Sequence, residues 1–173
     1  MRKALFVAAV ALVSAAAQAG SPAFVMQAPQ DIADRLGERE LLERELAYEL
    51  APVKSEADLR SLLVEGAEGT PLAALSPGAQ QRFLQSLVFS EAGLASFYYE
   101  DLRAELSPTQ IYRLLSLFGA QRSTPSIPGL RVKSKADELI VTPQADGGDH
   151  QGYLCHSPGT CMESRSFICT HNC

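Results

Sequence analysis

The sequence lacks the short motifs that mark many enzyme active sites. It has no glycine-rich phosphate loop, no Gly-x-Ser-x-Gly nucleophile elbow and no His-Glu-x-x-His zinc motif. Histidine is also scarce, because the chain has three and none precedes residue 150. Catalysis within residues 31–119 would therefore depend on carboxylates, which show no distinguishing spacing. We expect a non-enzymatic protein with no catalytic residues, no bound metal and no cofactor.

A long apolar run is also missing after the first 20 residues. Before that point, two basic residues precede a short apolar run that ends in Ala-Gln-Ala at positions 17–19. The run is shorter than the roughly 20 residues that span a bilayer, and its end fits the small-residue rule for signal cleavage. We expect a secretory signal peptide at 1–19, cleaved after Ala19. The mature protein would then be secreted or periplasmic, with no integral membrane span.

Positive charge is in short supply as well. The full chain carries −5 at pH 7, and the predicted signal removes Arg2 and Lys3, so the mature chain carries −5 − 2 = −7. Nucleic acid and anionic lipid headgroups repel an acidic protein. We therefore expect no nucleic-acid binding, and a partner that is an unidentified protein or envelope component.

One pattern occurs twice in the middle of the chain and indicates helices. Leu-Ser-Pro stands at 75–77 and again at 106–108, and each copy leads into an apolar stripe. In the second copy, Ser107 suits an N-cap, Gln110 completes a capping box and Gly119 suits the C-terminal stop. The stripe between them follows the i, i+3, i+4, i+7 spacing of a helix, with Ile111, Leu114, Leu115 and Phe118.

Residues 31–50 predict a longer amphipathic helix. Its leucines at 42, 46 and 50 form an i, i+4 ladder, and Glu40 precedes Arg44 by the four residues that favour an ion pair. The pattern does not hold for the three heptads typical of a coiled coil. We expect this helix to dock on the core through its leucines.

Alternating apolar and polar runs, which mark half-buried strands, do not reach sheet length in this sequence. It therefore predicts an all-α fold, a small bundle of short helices over 31–119 preceded by a disordered lead at 20–30. Residues 120–152 predict a linker with one short ordered segment within 130–141, whose only apolar cluster is at 139–141. A cysteine-rich, disulfide-bonded tail would follow at 153–173.

The tail contains every cysteine of the chain, namely Cys155, Cys161, Cys169 and Cys173. An even number of clustered cysteines in an exported protein indicates disulfides, and four allow three pairings that the spacing does not distinguish. The alternative is a metal site in which the four thiolates act with His156 and His171. The missing Cys-x2-Cys spacing and the oxidising compartment argue against it.

Gly147-Gly148 precedes the tail and permits a different interpretation. Double-glycine sites separate leader from mature peptide in some secreted antimicrobial peptides. Cleavage after Gly148 would release residues 149–173 as a two-disulfide peptide. A flexible hinge is the alternative, because glycine pairs also mark linkers.

The overall plan resembles that of exported bacterial proteins related to the bacteriocin fulvocin C. The similar parts are the signal peptide, the Leu-Ser-Pro helix starts within 75–119 and the terminal cysteine-rich segment at 155–173. The resemblance implies a bacteriocin-like peptide carried on a helical precursor. Three functions stay open: a carrier or interaction domain that presents a crosslinked tail, a peptide precursor, and a metal-binding tail.

Overall fold

The computed structural model describes residues 29–142 and 148–173. The predicted signal peptide, its cleavage site at Ala19, most of the predicted lead and Gly147 lie outside the described residues. The helices are α1 (Pro29–Leu50), α2 (Glu56–Glu65), a first 3-10 helix (Pro71–Ala74), α3 (Pro77–Gln85), α4 (Glu100–Glu105), α5 (Pro108–Ser116), a second 3-10 helix (Gln121–Ser126) and α6 (Lys135–Val141). The strands are β1 (Val88–Ser90), β2 (Gly93–Tyr98), β3 (His150–Ser157) and β4 (Thr160–Cys169).

The four strands form one antiparallel sheet in the order β1-β2-β4-β3. Strand β4 lies between β2 and β3, and it pairs Ile168 with Phe97 and Cys169 with Ser96. The C-terminal hairpin is therefore joined by backbone hydrogen bonds to a strand from the middle of the chain. No helix in the described parts of the chain is both long and apolar enough to cross a membrane.

The prediction of an all-α fold is wrong, because the protein combines helices with this sheet. The error arose at β2, which is buried from Gly93 to Phe97 and so shows no alternation of apolar and polar residues. A short run buried on both faces cannot be told from a buried helix by periodicity. Its partner β4 also lies about 70 residues further along the chain, in the predicted tail.

The main core lies where α3 and α5 meet β2. Phe83, Phe97 and Phe118 are fully buried, and Phe83 packs edge-on against the other two rings. The predicted α5 is confirmed: Ser107 and Gln110 form both halves of the capping box, and its whole apolar stripe is buried. The two disulfides lie in a smaller cluster beside Ala95.

The region predicted as a linker contains the second 3-10 helix and α6. Asp137 of α6 is buried and accepts hydrogen bonds from the backbone N–H and the hydroxyl of Thr109, at 3.0 and 2.7 Å. The bonds from Thr109 hold the pKa of Asp137 well below its usual range. Because Asp137 also accepts from the Lys133 N–H, it joins α6 and the chain before it to the start of α5.

Candidate functional site

Helix α1 contacts the rest of the protein through a narrow, charged inner strip. Its buried side chains are Glu40, Arg44 and Ala47. The predicted Glu40–Arg44 ion pair is present, with the Arg44 Nε 2.9 Å from the Glu40 carboxylate. Two of the three buried side chains of α1 are thus ionised groups, which must find partners on the body of the protein.

Those partners come from the second 3-10 helix and from both ends of the C-terminal hairpin. Arg122 donates to Glu40, Asp149 accepts from Arg44 at 3.3 Å, and the ring Nδ1 of His171 lies 3.0 Å from the Arg44 guanidinium. We call Glu40, Arg44, Arg122, Asp149 and His171 the anchor cluster. It fastens α1 to the segments that flank the tail.

The electrostatics of the anchor cluster favour its charged form. Burial raises the pKa of Asp149, but the His171 side chain and the Arg44 guanidinium outweigh burial and hold that pKa below its usual value. Burial likewise raises the pKa of Glu40, and hydrogen bonds and charge from Arg122 and Arg44 bring it below normal. Both carboxyl groups therefore stay ionised at neutral pH and keep α1 in place.

Backbone packing reinforces this attachment at the C-terminal half of α1. Gly119 ends the α5 segment with φ +67°, and a Cβ placed there would stand 2.9 Å from the Tyr48 Cα. Gly93 has φ +111°, and a Cβ there would stand 3.0 Å from the Tyr48 ring. The left-handed backbone favours glycine at both contacts, and at Gly119 the α1 backbone also leaves no space for a Cβ.

The outer face of α1 carries most of its large apolar side chains, whereas Leu41 is 65% exposed on the side of Arg44 and His171. Leu42, Leu46 and Leu50 are 65%, 58% and 75% exposed, and Ile32 and Leu36 are 47% and 46% exposed. The expectation that the leucine ladder docks on the core is therefore wrong. We call Ile32, Leu36, Leu42, Leu46 and Leu50, with the exposed Arg39, the outer face.

The predicted disulfides are confirmed, with the pairs Cys155–Cys173 and Cys161–Cys169. Cys161 and Cys169 belong to one strand, and a bulge between them brings their Cα atoms to 6.2 Å. Ser166 adopts φ 68° within that bulge, and its carbonyl accepts from the Tyr99 N–H. The bulge is thereby fastened to the residue that precedes α4.

The structure does not assemble the alternative set of metal ligands. The sulfur atoms of Cys155, Cys169 and Cys173 lie within 4.8 Å of one another, but all four cysteines are in disulfides and offer no thiolate. The Nδ1 of His171 lies 3.0 Å from the Arg44 guanidinium and 3.7 Å from the Asp149 carboxylate, so this nitrogen is engaged within the anchor cluster. His156 is exposed on the hairpin. A metal would need both disulfides to be reduced first.

Gly148, the predicted cleavage position, is exposed and has φ +74°. A Cβ there would lie 3.6 Å from the Cβ of His171. Asp149 follows at once and is 2% exposed at its side chain. A cut after Gly148 would leave residues 149–173 held by the anchor cluster and by the pairing of β4 with β2.

The sequence indicated only part of this arrangement. It showed the Glu40–Arg44 pair through its spacing and the disulfides through their count, but Arg122 and Asp149 were missed. Both lie in the predicted linker, and no local pattern shows that they meet α1. Comparison of the chain with protein-family models, with curated proteins and with solved structures finds no match.

Proposed function

We propose that this is an exported, non-enzymatic interaction protein that uses α1 to bind a helix of a partner protein. One observation carries the proposal: α1 directs its large apolar side chains outward and buries the Glu40–Arg44 ion pair against the body. A contiguous apolar stripe on a helix surface is a usual form of binding site for another helix. Helix α1 is long enough for this, since 22 residues span about 33 Å.

The tail has a supporting role in this proposal. Asp149 stands just before β3 and His171 just after β4, so the hairpin positions both of them against Arg44. The two disulfides hold the hairpin in shape. Disulfides persist in oxidising compartments, which supports export to the periplasm or the medium.

The proposal is non-enzymatic because the acid and base that lie together have structural partners. Asp149 and His171 have the residue types of a general acid–base pair. Their contacts, however, are with Arg44, whose guanidinium lies between 3.0 and 3.4 Å from both side chains. His171 lies with its Nδ1 beside both Arg44 and Asp149, which orients it for anchoring α1. The acidic charge of the mature chain supports a protein partner over nucleic acid.

The alternative of a bacteriocin-like peptide released near Gly148 has less support. Release would expose Ile168 and Cys169, both fully buried, and would remove β4 from beside β2. It would also leave Arg44 without Asp149 and His171. Release of residues 149–173 would therefore remove part of the core and two strands of the sheet from the rest of the protein.

Site-specific photo-crosslinking tests the proposal. A photoreactive amino acid replaces Leu46, which is 58% exposed on α1, or Leu139, which is 62% exposed on α6. In the producing cells, we expect an adduct of defined mass from position 46 and none from position 139. An absence of adducts from position 46 would overturn the docking role of α1.

Intact mass spectrometry of the same exported protein tests the alternatives. We expect one chain that ends at Cys173 and gains about 4 Da on reduction, which corresponds to two disulfides. A separate species containing residues 149–173 would make the tail the effector and would contradict the interaction proposal. Zinc or copper bound to unoxidised thiols would favour the metal alternative instead.

A further inference from the structure

The outer face of α1 has a pattern that is complementary to itself. Its seam is defined by six positions spaced alternately by four and three residues, as in the a and d positions of a coiled coil. These positions are Ile32, Leu36, Arg39, Glu43, Leu46 and Leu50. Apolar residues occupy both ends of the seam, and one arginine and one glutamate occupy its centre.

We infer that the partner of α1 is the α1 of a second copy of this chain, packed antiparallel to it. This inference rests on the docking role proposed above and names the occupant. An antiparallel pair centred on position 41 places together residues whose numbers sum to 82. Ile32 then faces Leu50 of the second copy and Leu36 faces its Leu46. Each apolar side chain thus meets an apolar side chain.

The charges at the centre of the seam determine the direction of pairing. In the antiparallel arrangement Arg39 faces Glu43 of the second copy, and the symmetry repeats this pair. A parallel arrangement would place Arg39 on Arg39 and Glu43 on Glu43. Like charges in direct contact disfavour a pairing, and charged seam positions are a common means of fixing register and direction.

The apolar side chains of the seam are between 46% and 75% exposed. The anchor residue Arg44 lies almost opposite Leu42 around the helix, since a rotation of 100° per residue separates them by about 160°. Arg39 is 68% exposed at its side chain and bridges Glu43 at 2.8 Å, and Glu43 also bridges Arg122 of the body at 2.8 Å. Leu42 lies beside the seam, one residue from the centre of the pair at position 41.

The pattern favours a second copy over an unrelated helix. A two-fold interface requires one surface to be complementary to itself, and both the apolar ends and the Arg–Glu centre meet this requirement. The seam is short, so we expect the dimer to dissociate at micromolar concentrations rather than to be permanent.

Sedimentation equilibrium on the disulfide-intact mature chain, from about 1 to 200 μM, tests the inference. We expect a monomer–dimer equilibrium whose dissociation constant rises at least about tenfold in Leu46→Lys, because a lysine would replace a leucine at the seam. Leu139→Lys, with matched residue type and exposure, should dimerise as the wild type does. Far-UV circular dichroism confirms that both variants are folded.

Charge reversal tests the pairing itself. Arg39→Glu alone places two glutamates against two glutamates, and Glu43→Arg alone places arginines against arginines, so each should dimerise at least about tenfold more weakly than the wild type. An equimolar mixture of the two should recover a heterodimer, because every facing pair is then of opposite charge. Failure of the mixture to associate, while both variants are folded, would overturn the pairing.

The outcomes separate this inference from the proposed function. A wild-type chain that is monomeric throughout the concentration range, or a dimer unaffected by Leu46→Lys, overturns pairing with a second copy. If position 46 still crosslinks to a different protein, the docking role of α1 stands with another occupant. If the chain is monomeric and position 46 gives no adduct, both fail.

Discussion

At the residue scale, Asp137 shows how one carboxylate connects two elements. It accepts hydrogen bonds from Thr109 and from the Lys133 N–H, and its pKa is lowered in the folded state. A lowered carboxyl pKa stabilises the fold above the unfolded pKa of about 3.9, and this stabilisation is lost as pH falls below it. We expect Asp137→Asn to lower Tm at neutral pH and to differ less from the wild type as the solution is acidified.

Thermal unfolding followed by circular dichroism from about pH 7 to about pH 3 provides the measurement. Glu138→Gln is the control, because the neighbouring Glu138 pairs with Lys135 at the surface. We expect its effect on Tm to be small at every pH. A Tm difference for Asp137→Asn that stays constant through the acid range would contradict the role given to this carboxylate.

Two glycines have nearly the same φ but different surroundings. Alanine substitutions at both positions therefore separate the cost of backbone strain from the cost of a steric clash. Gly119 has φ +67° and lies against the α1 backbone, whereas Gly129 has φ +70° and its nearest neighbour is the flexible Arg103 side chain at 3.7 Å. Alanine at either position costs about 1–2 kcal/mol for the left-handed conformation. Gly119→Ala should cost more, because the new Cβ also meets the Tyr48 backbone. Equal losses of unfolding free energy in urea would show that α1 does not pack closely there.

At the element scale, α1 is held by ion pairs, and the two arginine–glutamate pairs within the helix differ in burial. The Arg44 and Glu40 side chains are 5% and 7% exposed, whereas those of Arg39 and Glu43 are 68% and 32% exposed. Removing one partner of a buried pair costs about 3–5 kcal/mol, while an exposed pair contributes about 0–1 kcal/mol. Arg44→Met should therefore destabilise the fold far more than Arg39→Met.

Urea unfolding measures the two costs at a protein concentration below that of dimer formation. Hydrogen exchange shows which part of the protein is destabilised, since Arg44→Met should increase exchange in α1 more than in α5. If the two variants lose the same free energy, the anchor cluster does not hold α1.

The elements also show what a sequence can indicate. Helix α5 was predictable because its cap, stripe and stop are all local, within 13 residues from Ser107 to Gly119. The orientation of α1 was not, because both of its faces suggest burial: one has leucines and the other an ion pair. Which face of α1 is buried depends on Arg122 and Asp149, which lie 82 and 105 residues away from their partners on α1.

At the scale of the whole molecule, the tail is part of the core. The even number of cysteines in an exported chain predicted two disulfides. It indicated neither their pairing nor that β4 lies beside β2. Ile168 is fully buried in the main core, whereas Met162, on the same strand, is 53% exposed. A sequence shows that a segment is crosslinked, but burial depends on contacts between distant parts of the chain.

Ile168 and Met162 provide a test of whether the tail is part of the core. Ile168→Ala should cost about 2–5 kcal/mol, because it leaves a cavity beside Phe97, whereas Met162→Ala should cost less than about 0.5 kcal/mol. The unfolding of the helices, followed by circular dichroism at 222 nm, should shift to lower urea in the first variant alone. The helices and the tail unfold as one unit on this account, since β4 contributes to their common core. If Ile168→Ala leaves the helical transition unchanged, the tail is an appendage whose release would cost the body nothing, and the peptide-precursor alternative would regain its place.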